Sequence, residues 1–230
     1  MTSREHLPAM LGHRWNISPK RAAALQRKLA DRVRVAPLRG AVRTVAGTDC
    51  AFLDNGERVL AAAILMDARS MDTLATAEAI MPCRFPYVPG LLSFREAPAV
   101  IAAIGKLPRL PDLLLCDGQG IAHPRRLGLA SHVGLWVNVP TVGVAKSRLV
   151  GEHRQPGANR GCRTQLRYQG AVVGAVVRTR TNVKPLYVSV GHRLTLDDAV
   201  RWTLRCCRGV RLPEPNRAAH RYVTRRKLSI

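Results

Sequence analysis

Apolar residues recur along this 230-residue chain with two different periods, and the order in which the periods alternate predicts the architecture. Between residues 21 and 33, Ala24, Leu25, Leu29, Ala30 and Val33 fall at helical spacing with Arg and Lys between them, which predicts an amphipathic helix lying on a core. Strand-like runs follow at 41–52, 58–66 and 73–81. The turn signal Asp54-Asn55-Gly56 separates the first two, so an antiparallel three-stranded meander is expected. Beyond a Pro-rich stretch at 85–90, residues 97–107 read as a helix and 112–116 as a short, continuously apolar strand of the buried type. A helix over 128–137, a strand over Thr141–Ala145, apolar runs at Ala171–Val177 and 186–189, and helices over 196–207 and 218–227 complete the chain. A meander followed by strands that alternate with helices predicts an α/β fold, a mixed sheet flanked by helices. Residues 1–20 read as a tail or irregular lead-in, and with no repeat or dividing linker 21–230 reads as one domain closed by a basic C-terminal helix.

Composition narrows the partner. Lys plus Arg number 37 against 15 Asp plus Glu, a formal net charge of +22, while 47% of residues remain hydrophobic. A chain this apolar builds a core and is not disordered throughout, and a positive field of this size attracts a polyanion, nucleic acid before an anionic membrane surface. No apolar run reaches the 18 residues of a membrane helix, and the charged start lacks a signal-type apolar segment, so a cytoplasmic location is expected, with no membrane partner. Aromatic residues make up 4%, too few for a binder that stacks many successive bases. The six cysteines contain no C-x-x-C pair to hold zinc, and in a reducing compartment they read as packing residues.

Charge in the wrong place carries the chemistry. Asp49 interrupts the strand Val45-Ala46-Gly47-Thr48-Asp49-Cys50-Ala51-Phe52, and Asp117 ends the apolar run Leu113-Leu114-Leu115-Cys116 and opens Gly118-Gln119-Gly120. A buried, unpaired carboxylate costs several kcal/mol, so a bound cation is one reason for each to exist; pairing of Asp49 with an Arg and a turn opened by Asp117 is the other. Glu96 is the third candidate. Ser93 and Glu96 match an S-x-x-E capping box, but a helix capped at Ser93 would carry Pro98 beyond its first turn, so a helix starting near Ala97 leaves Glu96 free. Two Asp and one Glu supply the oxygen donors that Mg²⁺ or Mn²⁺ prefers.

Lined up in order, these segments resemble the endonuclease V family. The resemblance runs through Gly47-Thr48-Asp49, the stretch from Phe85 to Glu96 reading FPYVPGLLSFRE, Asp117-Gly118-Gln119-Gly120-Ile121-Ala122-His123-Pro124-Arg125, and Gly143-Val144-Ala145-Lys146-Ser147. It covers roughly residues 20–225; Thr48 and Cys50 depart from the family's usual hydrophobic residues, with Asp49 itself intact. The resemblance implies an RNase H-like fold and a DNA repair nuclease that acts beside deaminated bases such as hypoxanthine in DNA, with RNA as a second candidate substrate. A divalent metal is held by Asp49 and Asp117 and supported by Glu96. Water attacks the second phosphodiester 3′ to the lesion, leaving 3′-hydroxyl and 5′-phosphate ends. On the same basis Lys146 is the cation near the scissile phosphate and His220 a late histidine acting on water or the leaving oxygen.

An altered base must leave the stack to be read. Tyr87, stiffened by Pro86 and Pro89, matches the family's wedge for the vacated space, and Gly90, Leu92, Gly118, Gly120 and Gly143 match its pocket for the extruded base, with His123 a substrate contact. A pocket made mainly of backbone reads the 6-oxo group and N1–H of hypoxanthine and leaves groups unpaired against adenine. Arg217, Arg221 and Arg225 at i, i+4 spacing add a cationic stripe near His220. Two other readings stay open: another RNase H-like nuclease such as a resolvase, and a non-catalytic basic nucleic-acid-binding module.

Overall fold

The structure, a computed structural model, describes residues 11–230. The sequence-predicted lead-in falls partly outside these residues. Residues 11–18 are irregular in backbone yet packed: Leu11 is buried, and the rings of His13 and Trp15 sit 4.5 Å apart, edge to face. Helix α1 (Pro19–Ala30) follows, its end capped by Ser18, whose Oγ accepts from the Arg21 N–H.

The meander forms as expected from β1 (Thr44–Leu53), β2 (Arg58–Asp67) and β3 (Thr73–Pro82). The Asp54-Asn55-Gly56 turn takes positive φ at all three residues. Strand β4 (Leu113–Asp117) pairs parallel with β1, and β5 (Thr141–Ala145) parallel with β4. Three further strands, β6 (Arg163–Tyr168), β7 (Ala171–Val177) and β8 (Leu186–His192), complete one eight-stranded mixed sheet in the order β3-β2-β1-β4-β5-β8-β7-β6. Period-two alternation sorts the central strands onto two faces. Val45, Leu113, Leu115, Val142 and Val144 face one core, beneath α4 (Leu196–Cys206) and α5 (Glu214–Lys227). Ala46, Leu114 and Cys116 face the other, beneath α2 (Leu92–Gly105) and α3 (Leu129–Val137).

Two helix starts and one strand depart most from the pattern reading. Helix α2 begins at Leu92, so Pro98 lies inside it rather than at its start. The missing N–H and the ring of an interior proline cost about 3 kcal/mol. Burial of Leu91, Phe94 and Ala97 opposes that cost, with Phe94 stacked on Phe85 at 5.2 Å and edge-on to Trp15 at 5.8 Å. Helix α5 begins at Glu214, four residues before the expected 218, with Pro215 in its first turn. Strand β6 has no counterpart in the apolar pattern because it is an edge strand whose sole buried side chain is Leu166.

Candidate active site

The sheet register brings the two aspartates together. Thr48 of β1 lies opposite Cys116 of β4, so one residue further Asp49 lies beside Asp117 on strands about 4.8 Å apart. Both side chains share the parity of Val45 and Leu113, hence the face covered by α5. That helix sits close on β1 because residue 47 is glycine: a Cβ there would lie 2.1 Å from the carbonyl carbon of Pro215. Buried Asn216 fixes the same end of α5, its Nδ2 donating to the Leu115 carbonyl at 3.1 Å. One turn on, His220 Nδ1 donates to Asp49 Oδ2 at 2.7 Å, while the Cys50 N–H donates to Asp49 Oδ1 at 2.8 Å. Lys146, the residue after β5, donates from Nζ to Asp117 Oδ2 at 2.5 Å. Glu96 approaches from α2 on the other side.

These groups feel one another strongly. Burial, then the negative charges of Asp49 and Asp117, push the Glu96 carboxyl up to about 8, against a small opposing pull from Arg95. Burial and the charge of Asp49 also raise Asp117, and the hydrogen bond from Lys146 works against them. Such mutual repulsion is the situation a divalent cation relieves. Among the described residues no three His, Cys, Asp or Glu side chains are grouped as a ready metal cage, because the aspartate oxygens meet His220, Lys146 and a backbone N–H instead. Two carboxylates nevertheless fit Mg²⁺, which keeps several waters and takes its remaining oxygens from a phosphate.

A cavity of about 210 Å³, below the size that encloses a drug-sized ligand and suited to a single base, is lined by Arg95 and Gln119, near neighbours in the chain of Glu96 and Asp117, but not by the three carboxylates themselves. Tyr87, Gly90, Leu92 and His123 line it, together with Ser93 and Gln119. Tyr87 stands at its mouth with 75% of its surface exposed, and the Arg95 guanidinium lies 5.9 Å from its ring and 4.6 Å from that of Phe52. Gly90 has φ +78°, and its carbonyl accepts three bonds, from Gln26 Nε2 (3.1 Å), His123 Nε2 (2.9 Å) and Arg125 Nη2 (2.7 Å). His123 Nδ1 accepts from the Arg125 N–H at 3.1 Å, so both its ring nitrogens are engaged within the protein. Burial, then the Arg125 charge, lowers His123 to about 4 and keeps it neutral. Gly118, Gly120 and Gly143 are not among the lining residues. Gly120 and Gly143 sit in close backbone packing, since a Cβ on Gly120 would lie 2.0 Å from the Val190 carbonyl oxygen and one on Gly143 2.3 Å from the Gly120 nitrogen, whereas Gly118 has φ +151° and a Cβ there would meet the Leu129 side chain at 3.4 Å.

Pattern reading passed over several residues of this cavity. Gln26 is fully buried and bonds Gly90, Leu127 and Arg125 at once. Its signal was available: Ala22, Gln26 and Leu29 share the buried stripe of α1, where an amide has no apolar reason to be. Ser93, Arg95 and Gln119 stand within the quoted motifs, but only the fold shows that they face the cavity. In the cationic stripe Arg221 and Arg225 are exposed, whereas Arg217 is bound to Glu214 at 2.9 Å through Nε.

Comparison with known proteins gives this geometry a context. Residues 27–221 match the family model described as Endonuclease V. An endonuclease V of Azotobacter vinelandii is 48% identical over 212 residues, 92% of this chain and 96% of that protein. The crystal structure of endonuclease V from Streptomyces avermitilis superposes with a TM-score of 0.89 at 42% identity, covering 94% of this chain and 95% of that one. The endonuclease V of Ciona intestinalis, solved in complex with a 24mer DNA containing an inosine followed by a ribo-adenosine, superposes with a TM-score of 0.79 at 25% identity, over 91% of this chain and 97% of that one.

Proposed function

This chain belongs to the endonuclease V family, a family of nucleases, and from that premise we propose that it is a metal-dependent DNA repair endonuclease that recognises hypoxanthine and cuts the second phosphodiester 3′ to it, leaving 3′-hydroxyl and 5′-phosphate ends. The observation that carries this reading is the convergence of Asp49 and Asp117 on adjacent strands, with a cavity of single-base size lined by Gln119 of the loop that Asp117 opens.

Each residue then has a task. Asp49 and Asp117, supported by Glu96, hold the divalent cation, Mg²⁺ or Mn²⁺, which when bound supplies Lewis-acid stabilisation of charge on the phosphate. Lys146 adds a fixed positive charge for the scissile phosphate. Asp49 holds His220 through Nδ1, which leaves Nε2 to take a proton from water or return one to the leaving oxygen. Tyr87, rigid between two prolines and exposed, fills the space left by the extruded base. Gly90, Leu92 and His123 form the wall that receives it; Gly120 and Gly143 let the neighbouring backbone pack closely, and Gly118 supplies a positive φ after Asp117. One catalytic unit spans 21–230, and the surplus of 22 positive charges on the full chain holds the phosphate backbone in register. No helix among the described residues is long and apolar enough to cross a membrane, and we place the activity in the cytoplasm.

The test uses matched DNA and RNA strands carrying one inosine or one adenosine at the same position, with and without Mg²⁺ or Mn²⁺, and maps the nick. Cation-dependent cleavage at the second linkage 3′ to inosine is expected. Equal cutting of the adenosine strand, or cutting that ignores chelator, would overturn the proposal.

A further inference from the structure

From the base cavity a chain of polar side chains, buried at Ser93 and His132 and half-buried at His13 and Trp136, runs outward, and the reaction above does not use it. Ser93 lines the cavity, and its Oγ lies 3.0 Å from Nδ1 of the fully buried His132. His132 Nε2 lies 2.9 Å from His13 Nε2, and Trp136 Nε1 lies 3.1 Å from the same His13 nitrogen. An indole N–H only donates. His13 Nε2 therefore carries no proton and accepts from both neighbours, which puts the single proton of His132 on its Nε2. His132 Nδ1 is left as an acceptor, and the Ser93 hydroxyl must donate to it. The far end closes consistently, with His13 Nδ1 carrying the other proton and donating to the Arg14 carbonyl at 3.2 Å. Burial lowers both histidines, so neither gains a second proton to reverse the order.

We propose that this relay holds Ser93 as a hydrogen-bond acceptor toward the cavity and so makes it a specificity residue for a purine edge that bears an N–H, the N1–H of hypoxanthine. The inference rests on the reading of the cavity as the base pocket and adds the group that tells the bases apart there. Of the other polar groups around the cavity, the Gly90 carbonyl already accepts three bonds and Gln119 Nε2 donates to the Ser147 carbonyl at 3.0 Å, while Gln119 Oε1 and Arg95 Nε are buried without a partner. Ser93 has given away its proton and keeps its lone pairs. Adenine, whose N1 is an acceptor, would set two lone pairs against each other with no proton between them, leaving both buried and unpaired. Trp136, His13 and His132 act through Ser93 and are positioning residues.

The full chain is tested in two ways. Nitrogen NMR of the imidazoles reads the proton positions directly, and His132 protonated at Nε2 and bare at Nδ1 is expected. Affinity is measured for oligonucleotides bearing hypoxanthine, adenine, or unsubstituted purine, which lacks N1–H, at one position. Ser93→Ala should weaken hypoxanthine binding by about 3- to 10-fold and leave the purine strand unchanged. Trp136→Phe frees His13 Nε2 to carry a proton and should lower the hypoxanthine-to-purine ratio without touching the cavity. A proton on His132 Nδ1 in the wild type, or a wild-type preference that survives in Ser93→Ala, overturns this inference alone. A wild type with no preference for hypoxanthine over adenine overturns it together with the base-pocket reading.

Discussion

Asp49 and Asp117 were legible in the sequence because each is a charge inside an otherwise apolar strand, and the register then sets them side by side. Lys146 is the opposite case: one of 37 basic residues, singled out by its motif alone, it lies 2.5 Å from Asp117. Its substitution separates stabilisation of the reacting phosphate from general attraction of the strand. Lys146→Ala should lower single-turnover cleavage of an inosine strand by about 100-fold while changing strand affinity little, since one charge is lost from a large surplus. Equal losses in both would make Lys146 a binding residue. Gln26 and the Ser93–His132 pair were far less legible, because their partners are 39 to 101 residues away in the chain and no local spacing encodes such contacts.

Helices α2 and α5 show where elements escape pattern reading. Pro98 argued for a helix starting near Ala97, and the packing of Phe94 against Phe85 and Trp15 extends it back to Leu92 instead. The capping box fails for a related reason: Ser93 lies inside the helix and its hydroxyl is spent on His132, so Glu96 is free of a capping role, though not for the reason the proline offered. Strand β6 went unseen because an edge strand needs few apolar residues. The seat of α5 on Gly47 gives a test of how an element positions chemistry. Gly47→Ala forces a methyl against the Pro215 backbone, so α5 must shift and carry His220 away from Asp49. We expect stability to fall by about 1–3 kcal/mol in denaturant titration and cleavage to fall further than stability explains. Wild-type cleavage in a folded Gly47→Ala protein would detach His220 from the mechanism.

For the molecule as a whole, the α/β class and the meander were readable from periodicity, while the full strand order was not, since pairing of β5 with β8 depends on contacts distant in sequence. Acid stability is a property of the same scale. His123 and His192 are lowered to about 4 from 6.5, and His13 and His132 are lowered too, all chiefly by burial. The unfolded chain therefore binds more protons than the folded one between about 6.5 and 4, and stability is lost as pH falls through that window. Urea midpoints should drop steadily from pH 6.5 to 4.5, and His192→Asn should flatten part of the slope. The proposed hydrolysis depends on two aspartates that parallel strands bring together. The most direct measurement is single-turnover cleavage and strand affinity, side by side, for Asp49→Asn and Asp117→Asn on an inosine-bearing duplex with Mg²⁺. Retained binding with cleavage abolished in both variants is the predicted result, and cleavage at the wild-type rate in either would contradict it.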